Sequence, residues 1–276
     1  MIVAGIDVGG KNVHIVIKKD DQILGKVSGP SGIKKAESVE QLYDEVLTQV
    51  GITQKDVERV VATGSAAKRV AFANGAIPDA AADARGVIKL IPTARTIIDV
   101  GAEEGRSIKI SADGKVLDFA INDKCAAGTG TFVEAISRAL EVSMDEMSKI
   151  ALQSTQTLST NTQCAVFGES EVVSLIHQKT PKPDIARAVM NAIAGRIASV
   201  ARIVGLEKDV VMVGGMAKNA GFVDSLKKNI EMDVLVPEDP DYMGALGAAE
   251  AAAAGAYTEE VKTKGVERET VSEGRS

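Results

Sequence analysis

The sequence has no tryptophan, few phenylalanines and tyrosines, and only two cysteines in 276 residues. So few aromatic rings argue against stacking platforms for bases or sugars. Two cysteines without a secretory leader are poor material for a disulfide framework. We therefore expect the cysteines to be core residues, reactive thiols or metal ligands.

Long apolar runs and a surplus of positive charge are also missing. No stretch approaches the roughly 18 uncharged apolar residues that a membrane span requires, and the first residues, MIVAGIDVGG, show no basic segment before an apolar one. The formal net charge of -6 leaves few Lys and Arg residues for a phosphate backbone. We expect a cytoplasmic protein with neither a membrane nor a nucleic-acid partner.

What is present suits an ordinary globular α/β protein. Apolar residues make up 45% of the chain, enough for two modest lobes or one large domain. The first part predicts an antiparallel meander of three strands, then a helix, then a further strand. These elements are expected at Ile2–Val8, Val13–Ile17, Ile23–Val27, Val39–Val50 and Val57–Ala62.

A short repeat indicates that this pattern occurs twice. The tetrapeptide Ile6-Asp7-Val8-Gly9 recurs unchanged as Ile98-Asp99-Val100-Gly101, each time between a strand and a returning strand. The second copy predicts strands at Thr96–Val100, Ser107–Ile110, Lys115–Ile121 and Asp209–Val213. The last of these ends in Gly214-Gly215, where the first copy has Thr63-Gly64. The repeated order predicts a duplicated lobe.

The boundaries follow from this repeat. We expect an N-terminal lobe over residues 1–94, completed by an Ala-rich C-terminal helix over 242–256. The second lobe, 95–241, carries long helical patterns at Thr129–Leu140, Glu169–Gln178 and Asp184–Val204. Residues 258–276 are polar and without periodicity, and we expect a mobile tail.

Residues Gly5–Asn12 nearly match the P-loop pattern G-x-x-x-x-G-K-[ST]. Asn12 replaces the hydroxyl residue that would hold magnesium, and a strand rather than a helix follows. The alternative interpretation pairs Asp7 with Asp99, with glycine-rich turns that let main-chain N–H groups approach phosphate oxygens. Carboxylates at strand ends can hold magnesium through water. Each glycine taken singly is also compatible with an ordinary turn.

The repeated glycine loops resemble those of the actin, heat-shock-70 and sugar-kinase superfamily. The resemblance implies an α/β fold of two ribonuclease-H-like lobes, ATP in the cleft between them and magnesium near Asp7 and Asp99. Glu103 or Glu104 would assist the attacking water. The predicted nucleotide contacts are Gly9, Gly10, Lys11, Asn12, Gly101, Ala102, Gly214, Gly215, Lys218 and Asn219.

Both cysteines stand directly before predicted helices. Cys125 lies in Asn-Asp-Lys-Cys-Ala-Ala-Gly-Thr-Gly, and Cys164 in Cys-Ala-Val-Phe-Gly-Glu-Ser-Glu-Val. A helix N-terminus stabilises a thiolate or an anionic cluster. Two ligands are too few for a four-cysteine cluster, so two chains would be needed. A lone buried cysteine is otherwise a small apolar residue.

These two motifs resemble those of the ATP-dependent iron–sulfur activator family, the BadF/BadG/BcrA/BcrD type, which includes 2-hydroxyacyl-CoA dehydratase activators and ATP-binding subunits of benzoyl-CoA reductase. The resemblance implies one [4Fe–4S] cluster bridging two subunits, with Cys125 and Cys164 as ligands. It implies a homodimer or a heterodimer with a homologous subunit. It also implies an ATPase that passes low-potential electrons, from a donor such as ferredoxin or flavodoxin, to an iron–sulfur reductase or dehydratase component.

Two loops differ from the dehydratase-activator pattern. The first offers Lys11 and Asn12 where activators usually have small hydroxyl residues. The second continues Ala102-Glu103-Glu104-Gly105-Arg106, which is closer to the benzoyl-CoA reductase subunits. The sequence therefore favours benzoyl-CoA reductase, with the dehydratase activator as the alternative.

Two other classes stay open at this point. A small-molecule kinase of the same superfamily would use the cleft without needing the cysteines, and an ATP-gated chaperone would need a further peptide-binding domain. His14 and His177 have no second histidine at ligand spacing. We expect neither to act on a metal or a proton.

Overall fold

A computed structural model describes residues 1–122, 130–156, 158 and 165–258. Its framework is two five-stranded mixed sheets of the same design. In the first sheet the strand order is β3-β2-β1-β4-β5, with β1 antiparallel to β2 and parallel to β4. The strands are β1 (Ile2–Val8), β2 (Asn12–Lys19), β3 (Gln22–Pro30), β4 (Arg59–Thr63) and β5 (Gly75–Ala76).

The second sheet repeats this arrangement strand for strand. Its order, from the meander edge, is β8-β7-β6-β9-β10, with β6 antiparallel to β7 and parallel to β9. The strands are β6 (Thr96–Val100), β7 (Gly105–Ile110), β8 (Val116–Asn122), β9 (Val210–Val213) and β10 (Val234–Leu235). The predicted duplication of the strand pattern is therefore confirmed.

Eight α-helices cover these sheets in the described part of the chain. They are α1 (Lys35–Val50), α2 (Asp79–Leu90), α3 (Gly130–Ala139), α4 (Met144–Ala151), α5 (Ala165–His177), α6 (Lys182–Val204), α7 (Ala220–Ile230) and α8 (Met243–Ala254). Three buried clusters result: one between the first sheet and α1, one involving both sheets with α2 and α8, and one between the second sheet and α3 to α7.

Most predicted elements are present, with shifted ends. The strands predicted at Ile2–Val8 and Thr96–Val100 match β1 and β6. Both are central strands, buried on two faces, so their sequences are continuous apolar runs. Helices α4 and α7 were not predicted. Side chains mark the start of each: the Ser143 hydroxyl accepts a hydrogen bond from Glu146 N, and Asn219 Oδ1 accepts one from Phe222 N.

Helix α8 lies very close to both β1 and α2. A Cβ atom on Gly5 of β1 would come within 2.0 Å of the Ala245 carbonyl oxygen, and one on Gly247 within 1.7 Å of the Ala82 carbonyl oxygen. Real Cβ atoms do not approach backbone oxygens so closely, so these contacts require glycine. The last helix therefore packs directly on the first strand.

Residue 258, the last described, joins the first sheet. Thr258 forms an isolated antiparallel bridge with Ala76 of β5. The remainder of the predicted tail, 259–276, lies outside the described residues. Within the part of the chain that the structure describes, no helix has the length and apolar character needed to cross a bilayer.

The close contact between α2 and α8 leads to a prediction about stability. Gly247→Ala should lower the free energy of unfolding by about 2–3 kcal/mol, because the added methyl group forces the two helix backbones apart. Gly215→Ala is the matched control, since a Cβ there meets no atom within 4 Å. Denaturant unfolding of both variants measures the difference, and equal stabilities would contradict the close packing.

Candidate functional site

A cavity of about 300 Å³ opens where the ends of β1 and β6 face each other. This volume is at the lower end of the range of ligand pockets in proteins. Most residues predicted from sequence to bind nucleotide or to catalyse line it: Asp7, Gly9, Gly10, Lys11, Asn12, Asp99, Gly101, Ala102, Glu103, Glu104, Gly214 and Gly215. Lys218 and Asn219 are not among its lining residues.

The two hairpin turns at the cavity have the same construction. Gly9 N donates to the Asn12 carbonyl oxygen over 2.9 Å, and Gly101 N donates to the Glu104 carbonyl oxygen over 2.9 Å. Each turn places glycine backbone, which has no side chain of its own, at the cavity surface. The pair can therefore approach one polyphosphate from two sides.

Each repeated aspartate rests against a glycine that ends the neighbouring parallel strand. A Cβ on Gly64 would lie 2.4 Å from Asp7 Oδ1, and a Cβ on Gly214 would lie 2.3 Å from Asp99 Oδ1. Gly64 and Gly214 have φ of 93° and 82°, in the region that favours glycine. The sequence repeat thus creates two equivalent aspartate–glycine contacts, one in each sheet.

Contacts across the cavity join the two halves of the chain. The Glu103 carboxylate lies so close to Gly10 that a Cβ there would be 2.4 Å from it. Lys11 Nζ lies 2.5 Å from Glu134 Oε2 on α3. The first hairpin is therefore in direct contact with the second hairpin and with α3.

Arg106 on β7 is the centre of an acidic cluster that sequence reasoning did not identify. Its guanidinium lies 2.9 Å from Glu104, 3.2 Å from Asp79 and 3.5 Å from Asp99. Asp79 begins α2, and Asp83, one turn later, is 6% exposed with no partner for Oδ2. Asp79 and Asp83 carry no local signal that separates them from acids on a solvated helix face.

Burial in the cleft dominates the electrostatics of these aspartates. It raises the pKa of Asp7 from 3.8 to about 7, with further increases from Asp79 and Asp99 and an opposing effect of His14. Burial also raises the pKa of Asp99, although Arg106 opposes it. The pKa of Asp83 is raised well above its ordinary value by burial and by Asp99. Burial without a bound cation therefore shifts the pKa of all three carboxyl groups toward the protonated form.

The cavity is strongly acidic for a site that would receive phosphates. Among the described residues its lining has two permanent cations, Lys11 and Arg106, and eight carboxylates: Asp7, Asp79, Asp83, Asp99, Glu103, Glu104, Glu134 and Asp241. In the described ranges no three side chains are arranged to hold a metal ion directly. Carboxylates at this spacing suit magnesium held through water together with phosphate oxygens. The donor set therefore fits a Mg²⁺–nucleotide complex.

Three residues have contacts that differ from their predicted roles: His14, expected to be inactive, and Lys218 and Asn219, expected to bind nucleotide. His14 lines the cavity, with Nε2 3.3 Å from Asp241 Oδ2. Lys218 Nζ is 2.6 Å from the same oxygen, and Asn219 caps α7. Burial acts to raise the pKa of Asp241, but the hydrogen bonds from His14 and Lys218 outweigh it, and the pKa is lowered. Binding roles of Lys218 and Asn219 stay predictions.

Cys125 and Cys164 lie outside the described residues. The neighbouring helices are described: α3 begins at Gly130 and α5 begins at Ala165, and the two helices pack together. The second hairpin is bonded to α3, because Gly130 N donates to the Gly101 carbonyl oxygen and Thr131 N to that of Ala102, each over 3.0 Å. Helix N-termini suit anionic ligands, so the chain near the cysteines is compatible with a cluster.

The duplicated sheets and the cleft between them define the actin-like ATPase fold, as predicted. The chain belongs to the BadF/BadG/BcrA/BcrD ATPase family, whose profile matches residues 4–252. The predicted enzyme class, an ATPase of the kind coupled to electron transfer, is confirmed by this membership. ATP is accordingly the nucleotide expected of a member of this family.

Individual relatives are similar along nearly their whole length. The activator of lactoyl-CoA dehydratase of Anaerotignum propionicum is 39% identical, with 90% of this chain and 96% of that protein covered. A benzoyl-CoA reductase subunit of Thauera aromatica is 32% identical, with 90% and 92% covered. The structure of the 2-hydroxyisocaproyl-CoA dehydratase activator of Clostridium difficile with bound ADPNP is 33% identical, with a TM-score of 0.88 and 93% and 96% covered.

The raised pKa of Asp7 predicts a pH-dependent effect of Asp7→Asn. In the unfolded chain Asp7 loses its proton near pH 3.8, but in the folded protein only near pH 7. Its burial therefore costs stability increasingly as pH rises between these values, and the variant avoids that cost. Without magnesium and nucleotide, the variant should gain about 4 kcal/mol on the wild type by pH 8 and little at pH 4.

Denaturant unfolding of both proteins across this pH range measures the gain. Asp113→Asn, on the exposed β7–β8 turn, should show no such rise. A difference between Asp7→Asn and wild type that is constant with pH would contradict the burial of a proton-holding carboxyl.

Proposed function

We propose that this chain is an ATP-hydrolysing iron–sulfur protein that activates an acyl-CoA dehydratase. One contact carries the proposal most directly: the second glycine hairpin is hydrogen-bonded to the first turn of α3, the helix that follows the Cys125 segment. A change at the phosphates would thus reach the start of α3, which follows Cys125 closely in the sequence. Similarity to named dehydratase activators supports the same role.

The proposed electron acceptor, a dehydratase, differs from the one that the sequence favours. The Ala-x-x-Gly-Arg continuation favoured benzoyl-CoA reductase, and Arg106 does lie in the cleft. Its contacts with Asp79, Asp99 and Glu104 explain it as the counter-charge of the acidic cluster, a need that is independent of the electron acceptor. The highest identities among the named relatives are to dehydratase activators. Benzoyl-CoA reductase remains the alternative acceptor.

Within the cleft, the hairpins at Gly9–Asn12 and Gly101–Glu104 would bind the phosphates of ATP. Asp7 and Asp99 would hold the hydrated magnesium ion, whose charge relieves their mutual repulsion. Glu103, held against Gly10, would orient the attacking water, with Glu104 kept by Arg106. Gly214 and Gly215, at the end of β9, would pass close to the adenosine.

Cys125 and Cys164 of two neighbouring chains would hold one [4Fe–4S] cluster. When bound, the cluster supplies a one-electron carrier of low potential. The chain's own residues would bind ATP, change the angle between the proposed lobes at 1–94 with 242–256 and at 95–241, and so alter docking on the partner enzyme. A ferredoxin or flavodoxin would return the electron, and the second subunit would be identical or homologous.

The first test is composition and activity of the anaerobically purified protein. It should be brown, contain about four iron atoms per two chains, and activate a 2-hydroxyacyl-CoA dehydratase component only with ATP and a reductant. Cys125→Ala should lose the iron. A colourless protein that transfers the terminal phosphate of ATP to a small molecule would contradict the proposal in favour of a kinase. Activity with a benzoyl-CoA reductase component alone would favour the alternative acceptor.

Asp99→Asn separates the nucleotide site from the cluster. The variant should keep its iron but lose ATP-dependent activation by roughly 100-fold or more, because the amide cannot balance the charge of the metal. Asp113→Asn, far from the cavity, should behave as wild type. Full turnover by Asp99→Asn would refute the assignment of that aspartate.

A further inference from the structure

The contact between Lys11 and Glu134 joins parts of the chain that are 123 residues apart. Lys11 belongs to the first hairpin, and Glu134 lies on α3 beside the second. Both residues line the cavity, and their side chains are 50% and 32% exposed. The ion pair therefore stands at the mouth of the cleft, between the two phosphate-facing turns.

The backbone of the first hairpin is fixed while the Lys11 side chain can move. Ser31 N donates to the Lys11 carbonyl oxygen over 2.8 Å, and the Ser31 hydroxyl donates to that of Gly10 over 2.9 Å. Lys35 Nζ donates to the Gly9 carbonyl oxygen over 3.3 Å. A long, half-exposed lysine side chain on a fixed turn can exchange partners without moving the hairpin.

Glu134 is an ionised partner that competes with phosphate for this lysine. The hydrogen bond from Lys11 lowers the pKa of Glu134, and the charges of Lys11 and Arg138 add to the effect. Arg138 NH1 lies 3.4 Å from Glu134 Oε1, one helical turn away. Glu134 therefore keeps a cationic neighbour, Arg138, when Lys11 leaves, so that separation does not strand an unpaired charge.

We propose that Glu134 is a positioning residue that sets how strongly the site distinguishes nucleoside triphosphate from diphosphate. It acts through Lys11: Glu134 holds the ammonium group away from the phosphates, and a terminal phosphate must draw Lys11 from it. A diphosphate lacks the terminal group and leaves the ion pair in place. This inference rests on the proposed binding of ATP but adds a residue and a specificity to it.

The exchange also acts on α3. That helix is bonded at its first turn to the second hairpin, through Gly130 and Thr131, and further along to the first hairpin, through Glu134. When Lys11 turns to the nucleotide, α3 keeps its connection with the second hairpin and loses the one with the first. Triphosphate and diphosphate therefore leave α3 with different attachments.

Equilibrium binding to the full-length, anaerobically purified protein tests the proposal. Calorimetry with magnesium measures dissociation constants for ADP and for a non-hydrolysable imido analogue of ATP. Glu134→Gln should raise the ratio of the ADP dissociation constant to that of the ATP analogue roughly twofold to fivefold, the range expected for removing one partly exposed ion pair. Lys11→Met should lower the ratio.

The double variant distinguishes positioning from a general effect. In Lys11→Met, the further change Glu134→Gln should leave the ratio unmoved, because Glu134 then has no lysine to hold. Glu40→Gln, an exposed carboxylate on α1, is the charge-matched control and should bind as wild type. A ratio that Glu134→Gln leaves unchanged, or an equal effect of that change with and without Lys11, would overturn the proposal.

The outcome is separate from that of the proposed function. Absence of any nucleotide binding would refute the ATP site itself, whereas normal binding with an unchanged ratio refutes the role of Glu134 alone. Thermal unfolding of each variant without nucleotide shows whether it folds. Weaker binding of the triphosphate analogue by Glu134→Gln than by the wild type would also contradict the competition between Glu134 and phosphate.

Discussion

The burial of mutually repelling carboxylates in a low-dielectric cleft is the constraint on which the rest of the site depends. Burial disfavours ionisation of Asp7, Asp83 and Asp99, the charge of Asp99 adds to this at Asp7 and Asp83, and one guanidinium, that of Arg106, partly offsets it. Such an arrangement is costly when empty and favourable when a divalent cation enters with an anionic ligand. The cleft is thus an incomplete charge balance that the proposed metal–nucleotide complex would complete.

The duplicated sheet positions the two central carboxylates of the cleft. Two sheets with the same strand order place Asp7 and Asp99 at the ends of equivalent central strands. Each aspartate then packs against a glycine with positive φ at the end of the adjacent parallel strand, Gly64 or Gly214. Beyond the strands the halves differ, because α3 to α7 are built onto the second sheet alone. The asymmetry falls in the stretch of sequence that contains both cysteines, while the symmetric part carries the proposed phosphate loops.

The sequence predicted eight of the ten described strands and both hairpins because their signals are local, whereas the two-residue strands β5 and β10 were not predicted. Buried central strands are continuous apolar runs, and the repeat Ile-Asp-Val-Gly marks two equivalent turns. Asp79, Asp83 and Glu134 were beyond prediction because each is one acid on an amphipathic helix. Their partners, Arg106 and Lys11, are distant in the chain, and helical periodicity does not distinguish an acid that faces a cleft from one in water. Helix α7 was missed although Asn219 is a good N-cap.

Helix α8 carries a consequence for how the protein is made. Its backbone fits against Gly5 of β1 and against α2, so the final helix supplies part of the packing of the first sheet. A ribosome releases β1 long before α8, and domains fold as units when their segments are available. The first sheet must therefore remain partly uncovered until α8 has emerged, a period in which its apolar surface is open to chaperones.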